Sequence, residues 1–264
     1  MKVREGLVAL ADTRITSGTE PITGKKVSIH QYENQSIFLM TSGLRSARDK
    51  VLTYFNEDLE MNKGKFDKLY KTVNLFSEHL RQVAKEDKEI LEANGYPFNL
   101  MSIMGGQLSK DSEHKLYLIY PQGNWVEVTE STPYYAIGES SYGKPLIDRA
   151  LNYETSLEIA MKLGYLAFEA TRTSATDVDF PIDMVLYLKN SFRMNEIHYE
   201  REDLAKVTEW WKTRVRETVE LCPSDWAKSA LAKLGNNEGH PSRSEQSIDL
   251  KNLTKFHIGE SPLS

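Results

Sequence analysis

Residues 6–15, Gly-Leu-Val-Ala-Leu-Ala-Asp-Thr-Arg-Ile, form a strongly apolar, β-prone segment entered through Arg4-Glu5-Gly6. Such a segment reads as a half-buried strand leaving a hairpin turn. Only Met1-Lys2-Val3 precede the turn, so a ten-residue strand faces a three-residue partner. Unpaired strand backbone must find hydrogen-bond partners elsewhere, which commits the chain to a larger sheet around this segment.

Two further strands are expected at 26–32 and 36–41, turning through Glu33-Asn34-Gln35. The period then becomes helical. Val51, Leu52 and Phe55 open one stripe, and Phe66, Leu69, Val73, Phe76, Leu80 and Val83 form a second that ends near Asn94-Gly95. Strands are expected again at 100–108, 115–120, 125–128 and 134–137, with Pro121-Gln122-Gly123-Asn124 as a turn and Gly105-Gly106 as a bulge. Helices follow from Pro145 and from Thr155, the latter through a capping box to Glu158. A strand pair at 182–188 and 192–199 then leads to a helix from Arg201. Antiparallel strands in blocks separated by helix pairs predict an α+β fold, a four-layer αββα sandwich with two antiparallel sheets face to face. Residues 1–234 are expected to form this domain, and the polar, Gly- and Ser-rich stretch 235–264 a mostly disordered tail.

The balance of 33 Lys+Arg against 38 Asp+Glu leaves a formal charge of -5, which argues against a nucleic-acid partner. No apolar run has the length of a membrane span and no secretory leader is evident, so a cytoplasmic protein without a membrane partner is expected. The single cysteine, Cys222, is expected at the buried end of a helix as an inert thiol. The six histidines lack metal-ligand spacing.

Four segments carry a resemblance: Gly6 to Arg14, Lys25-Lys26-Val27 at a strand start, Thr41-Ser42-Gly43-Leu44-Arg45 at a helix start, and Ile137-Gly138-Glu139-Ser140-Ser141. In this order over roughly residues 1–200 the chain resembles the proteasome β-subunit family, N-terminal nucleophile hydrolases, and most of all its bacterial ancestral β-subunit (Anbu) branch. The resemblance implies a threonine endopeptidase without cofactor or metal, assembled as a homo-oligomeric ring or open ring, acting on peptides or proteins. A terminal Thr hydroxyl attacks the peptide carbonyl while its own α-amine acts as the base. By resemblance, Lys26 lowers the amine pKa and Asp12 orients Lys26. Lys25 is the alternative, since alternation lets only one of the two neighbours reach the site. Ser140, or Ser141, matches the serine that bonds the amine, and Ser174 stands for the supporting residue in the 172–177 loop. Thr16 and Gly43 match positions that line substrate as an added strand, with Gly43 offering its N–H to the oxyanion.

In the family the nucleophile lies about sixteen residues before the aspartate matched by Asp12, and eleven residues precede Asp12 here. The sequence thus implies that about five residues, the Thr among them, belong before Met1, and that the chain as written is inactive. Two other functions remain open. One is a non-catalytic structural ring subunit. The other is nucleotide binding at Gly138–Lys144, which has phosphate-loop spacing but carries Pro145 in place of the magnesium-binding hydroxyl.

Overall fold

The computed structural model describes residues 1–17 and 20–235. The opening hairpin pairs β1 (Lys2–Val3) with β2 (Gly6–Asp12), Lys2 opposite Leu7 and Val3 opposite Gly6. The other edge of β2 runs antiparallel to β10 (Ile182–Leu188) over its whole length, and β10 pairs with β11 (Met194–Tyr199). Gly6 is required there, because a Cβ would sit 1.8 Å from the Tyr187 carbonyl oxygen. This four-stranded sheet has the order β1-β2-β10-β11. A second, five-stranded sheet is a meander of β5 (Val27–Tyr32), β6 (Gln35–Ser42), β7 (Met101–Gln107), β8 (Lys115–Ile119) and β9 (Trp125–Glu127).

Alternation along the strands builds the layers. Leu7, Ala9, Val185 and Tyr187 face inward and meet Val27, Phe38, Ile103, Leu116 and Leu118 of the second sheet. The intervening residues of the second sheet, among them Leu39, Met104 and Ile119, face outward and are covered by α1 (Arg45–Met61) and α2 (Leu69–Ala93). On the far side Val3 and Val8 pack on Ala160, and Ile182 on Tyr165 and Phe168. Ala160, Tyr165 and Phe168 lie on α4 (Leu157–Ser174), which is preceded by the short α3 (Lys144–Ala150). The result is helices, sheet, sheet, helices.

Several sequence expectations are corrected. The 6–15 segment is two strands. Thr13 interrupts it by donating both its N–H and its hydroxyl to Pro181 O, and β3 (Arg14–Ser17) turns away to pair with β4 (Glu20–Thr23). Gly105-Gly106 is no bulge, because the register runs through it without a break: Gly105 opposes Phe38, and its missing Cβ leaves room for the Phe38 ring, 2.5 Å from where that atom would lie. The cap of α4 is Ser156, accepting from Ile159 N–H, while Thr155 accepts from Asn152 N–H. Residues 134–137, expected as a strand, belong to none.

The described chain divides between Lys212 and Thr213 into two compact units. In the first, α5 (Ala205–Glu220) is anchored at its start by a hydrogen bond between the Thr208 and Tyr165 hydroxyls. The second holds the end of α5 and α6 (Asp225–Gly235), a helix the sequence reading did not place. There Cys222 is exposed, as are Val219 and Leu221 around it; the apolar residues at this helix end are open to solvent, which overturns the buried-thiol expectation. The expected tail lies, beyond Gly235, outside the described residues.

His114 ties the opening hairpin to the second sheet. Its Nε2 lies 2.8 Å from Val3 O, the ring is fully buried, and Nδ1 has no hydrogen-bond partner among the described residues. Burial pushes its pKa down to about 4. An unfolded imidazole titrates near 6.5, so between these values the unfolded chain binds the extra proton and stability falls as pH drops. Urea unfolding should lose up to about 3 kcal/mol between roughly pH 6.5 and 4 from this group. His114→Gln should flatten that part of the slope, as read from unfolding midpoints at several pH values.

Candidate active site

Asp12 ends β2 in the first sheet and Lys26 immediately precedes β5 in the second, so the contact between them spans the two sheets. Lys26 Nζ donates to Asp12 Oδ1 at 2.7 Å, with the side chains 23% and 12% exposed. Such shielding leaves the pair only weakly screened. The adjacent Lys25 points elsewhere, to Glu196 at 2.7 Å. The Asp12 carboxylate also accepts the Arg14 N–H at 3.2 Å and the N–H of Asp179. Burial pushes the Asp12 carboxyl above the usual range, against the opposing pull of the Lys26 ammonium and these donors.

Asp179 is itself held by charge. Its carboxylate bonds Arg201 at 2.7 Å and lies 3.6 Å from Arg14 and 3.9 Å from Arg172, while the Arg172 and Arg201 guanidiniums both lie over the Phe180 ring. The loop after α4 is thereby pinned beneath Asp12. Sequence reasoning missed Asp179, although Arg14 in the Asp12-Thr13-Arg14 run was a signal that an acidic partner lies nearby.

Asp12 and Lys26 form one end of a cavity of about 270 Å³. One wall is the β2 edge from Val8 to Asp12, and Met1 lies at the far end. Tyr134 to Ser140 also line it, α4 supplies Gly164, Ala167 and Thr171, and the second sheet supplies Phe38, Met40 and Ile103. Ser140 lines the cavity. Ser141 is not among the lining residues, and its backbone N–H donates to Glu139. In the 171–178 region Thr171, Asp177 and Val178 reach the cavity and Ser174, at the end of α4, does not line it. Gly43 follows β6 at φ 129, where a Cβ would lie 1.7 Å from Asn99 O, so only glycine fits; its neighbour Ser42 lines the cavity. Thr16 is placed in β3 opposite Pro21, with its side chain outside the described residues. The Gly138–Lys144 segment is not arranged as a phosphate cradle: Lys144 Nζ is committed to Asp148 at 2.7 Å and to the Tyr134 hydroxyl at 3.2 Å.

The model of the proteasome subunit family matches residues 1–185. The chain belongs to this family. No curated protein sequence matches significantly. Among solved structures, the proteasome subunit described here is similar to Anbu (ancestral beta-subunit) from Yersinia bercovieri, at 27% identity and TM-score 0.76, covering 84% of this chain and 95% of that one. Anbu from Hyphomicrobium sp. strain MC1 is 28% identical at TM-score 0.76, covering 84% and 96%. The helical assembly of the Anbu complex from Pseudomonas aeruginosa is 26% identical at TM-score 0.79, covering 85% and 95%.

In this proteasome subunit the Asp12–Lys26 contact is expected to be energetically coupled. A double-mutant cycle with Asp12→Asn and Lys26→Met, read by chemical unfolding, should give an interaction energy of roughly 1–3 kcal/mol. Additive effects would show that the two groups act independently.

Proposed function

We propose that this proteasome-family subunit hydrolyses peptide bonds with a hydroxyl nucleophile presented at the Asp12–Lys26 end of the cavity. The observation that carries the reading is the 2.7 Å ion pair, shielded and placed between the two sheets where it lines the cavity. A Lys cation held in this way lowers the pKa of a neighbouring α-amine toward neutrality, which suits that amine to take a hydroxyl proton. Attack on the scissile carbonyl then forms an ester with the hydroxyl oxygen as the C–N bond breaks. The proton passes to the leaving amine, and water releases the acyl group. Asp12 keeps Lys26 in position, Ser140 at the cavity wall bonds the amine, and the Gly43 N–H receives the developing oxyanion. Substrate lies extended between Thr16 and Gly43. In the 172–177 loop, Asp177 is better placed than Ser174 to support the nucleophile, because it reaches the cavity.

The nucleophile in this reading is a Thr carried by the residues leading into β1, and the active form is a homo-oligomer. The family assignment supports the chemistry, and the assembly named for the Pseudomonas aeruginosa relative supports the oligomer. Among the described residues no helix is long and apolar enough to cross a membrane.

The experiment is to extend the chain so that Thr begins it five residues before Met1, and to assay a panel of small peptide amides. Turnover is expected, with Asp12→Asn and Lys26→Met each lowering kcat by about 10²-fold or more. An extended chain that assembles but leaves every peptide intact would defeat the peptidase reading in favour of a structural ring subunit.

A further inference from the structure

Among the described residues the Lys26 ammonium meets one carboxylate, that of Asp12, so whatever holds Asp12 also directs the cation. The Lys26 main chain is fixed separately, its carbonyl accepting the Thr41 N–H at 3.2 Å. Two backbone donors share the Asp12 carboxylate with Lys26: the N–H of Arg14, at 3.2 Å, and the N–H of Asp179. The Arg14 donor is local, two residues further along the same segment. The Asp179 donor comes from the loop after α4, and its position beside Asp12 has to be secured by contacts of its own.

Three arginines approach Asp179, and they are not equivalent. Arg14 Nη1 lies 3.6 Å from Asp179 Oδ2, beyond hydrogen-bond length, and Arg14 Nε is buried with no hydrogen-bond partner among the described residues. Arg172 is 3.9 Å away and is engaged by Glu169, to which it donates at 3.0 and 2.6 Å. Arg201 makes the close contact. Its Nη2 donates to both Asp179 carboxylate oxygens at 2.7 Å, and its guanidinium lies over the Phe180 ring, 5.5 Å from the centroid. Charge-assisted bonds of this length are the strong ones, so Arg201 is the main hold on Asp179 and thereby on the direction of its N–H.

Arg201 stands in the turn between β11 and α5, and neither it nor Asp179 lines the cavity. The turn has its own brace, the Glu200 N–H donating to Asp203 at 2.8 Å. A continuous path of contacts therefore leads from the start of α5 through the Asp179 carboxylate and its N–H to Asp12 and on to Lys26. A carboxylate bonded to a single flexible ammonium keeps rotational freedom, and donors from further directions remove it.

We infer that Arg201 is a positioning residue of the site: by fixing the Asp179 main chain it aims a second backbone donor at Asp12, and so sets the direction in which Asp12 holds Lys26. The inference deepens the peptidase reading and rests on it for the use made of Lys26. The positioning itself is read without turnover.

Nuclear magnetic resonance of the full chain tests it. An N–H donates more strongly to an ionised carboxylate than to a protonated one, so its amide proton moves downfield as the carboxyl ionises. The Asp12 carboxyl carbon supplies the midpoint, which burial places above the usual carboxylate range. The Arg14 and Asp179 amide protons should both follow that midpoint and lose the step in Asp12→Asn. In Arg201→Met the Asp179 amide should lose most of its response and exchange with solvent roughly tenfold faster, while the Arg14 amide keeps its response. Arg201→Lys, which retains a cationic donor but not the planar fork, should restore part of it. Thr208→Val removes the other hold on the start of α5, the hydroxyl bond to Tyr165, and should leave the Asp179 amide as it is in the parent chain. Should Arg201→Met not fold, Asp179→Asn keeps the amide but weakens the pull of the arginines, and the same loss is expected from it.

An Asp179 amide that does not follow Asp12 in the parent chain, or that follows it as fully in Arg201→Met, would overturn the inference. Equal loss in Thr208→Val would also overturn it, since the effect would then be a general loosening of α5. An extended chain that hydrolyses no peptide while these amides behave as stated would defeat the peptidase reading and leave the positioning in place, so the two fail separately.

Discussion

The pairing of β2 with β10 is the contact on which the other layers rest. Seven consecutive register pairs, Gly6 with Leu188 through Asp12 with Ile182, fix two strands separated by about 170 residues of chain. Because side chains alternate, this one ladder places Leu7, Ala9, Val185 and Tyr187 into the core between the sheets and Val8, Leu10 and Ile182 under α4. A slip of one residue would exchange the two sets and set large side chains against the wrong layer. The ladder also decides where β2 ends, since Thr13 is drawn to Pro181 and Asp12 is left at the cavity with its carboxylate turned to Lys26.

Much of this was legible in the sequence because strong periodicity and turn chemistry reported it. The stripes of α1 and α2, the meander from Met101 to Glu127, and the β10–β11 pair all follow from apolar spacing alone. What was not legible depended on the partner and not on the segment. Residues 6–15 read as one β-prone run, and only the acceptor at Pro181, far away in sequence, cuts them at Thr13. Residues 134–137 are strand-like in composition, yet a strand requires an adjacent edge. Cys222 looked buried because Leu221 and Pro223 flank it, but flanking hydrophobicity says nothing about whether another element covers that helix end.

The site divides along the same line. Asp12 and Lys26 stand in segments whose pattern could be recognised, and the two lysines that alternation sets apart point to different partners, Lys25 to Glu196 and Lys26 to Asp12. The loop after α4 was much less legible. Its short polar residues offer no periodicity, so the register that brings Asp177 to the cavity and turns Ser174 away is set by where α4 ends and by the hold on Asp179. That hold is electrostatic: a carboxylate among Arg14, Arg172 and Arg201, with two of the guanidiniums over the Phe180 ring.

An anchor made of charges differs from one made of packed side chains in what can loosen it. Asp179 and its arginines are between 17% and 50% exposed, so mobile ions reach them, whereas the apolar core beneath is indifferent to ionic strength. The floor under Asp12 is thus a part of the site whose rigidity depends on the surrounding electrolyte. Solution salt acts there as a tuning variable for local geometry, while the two-sheet scaffold that carries the site stays fixed.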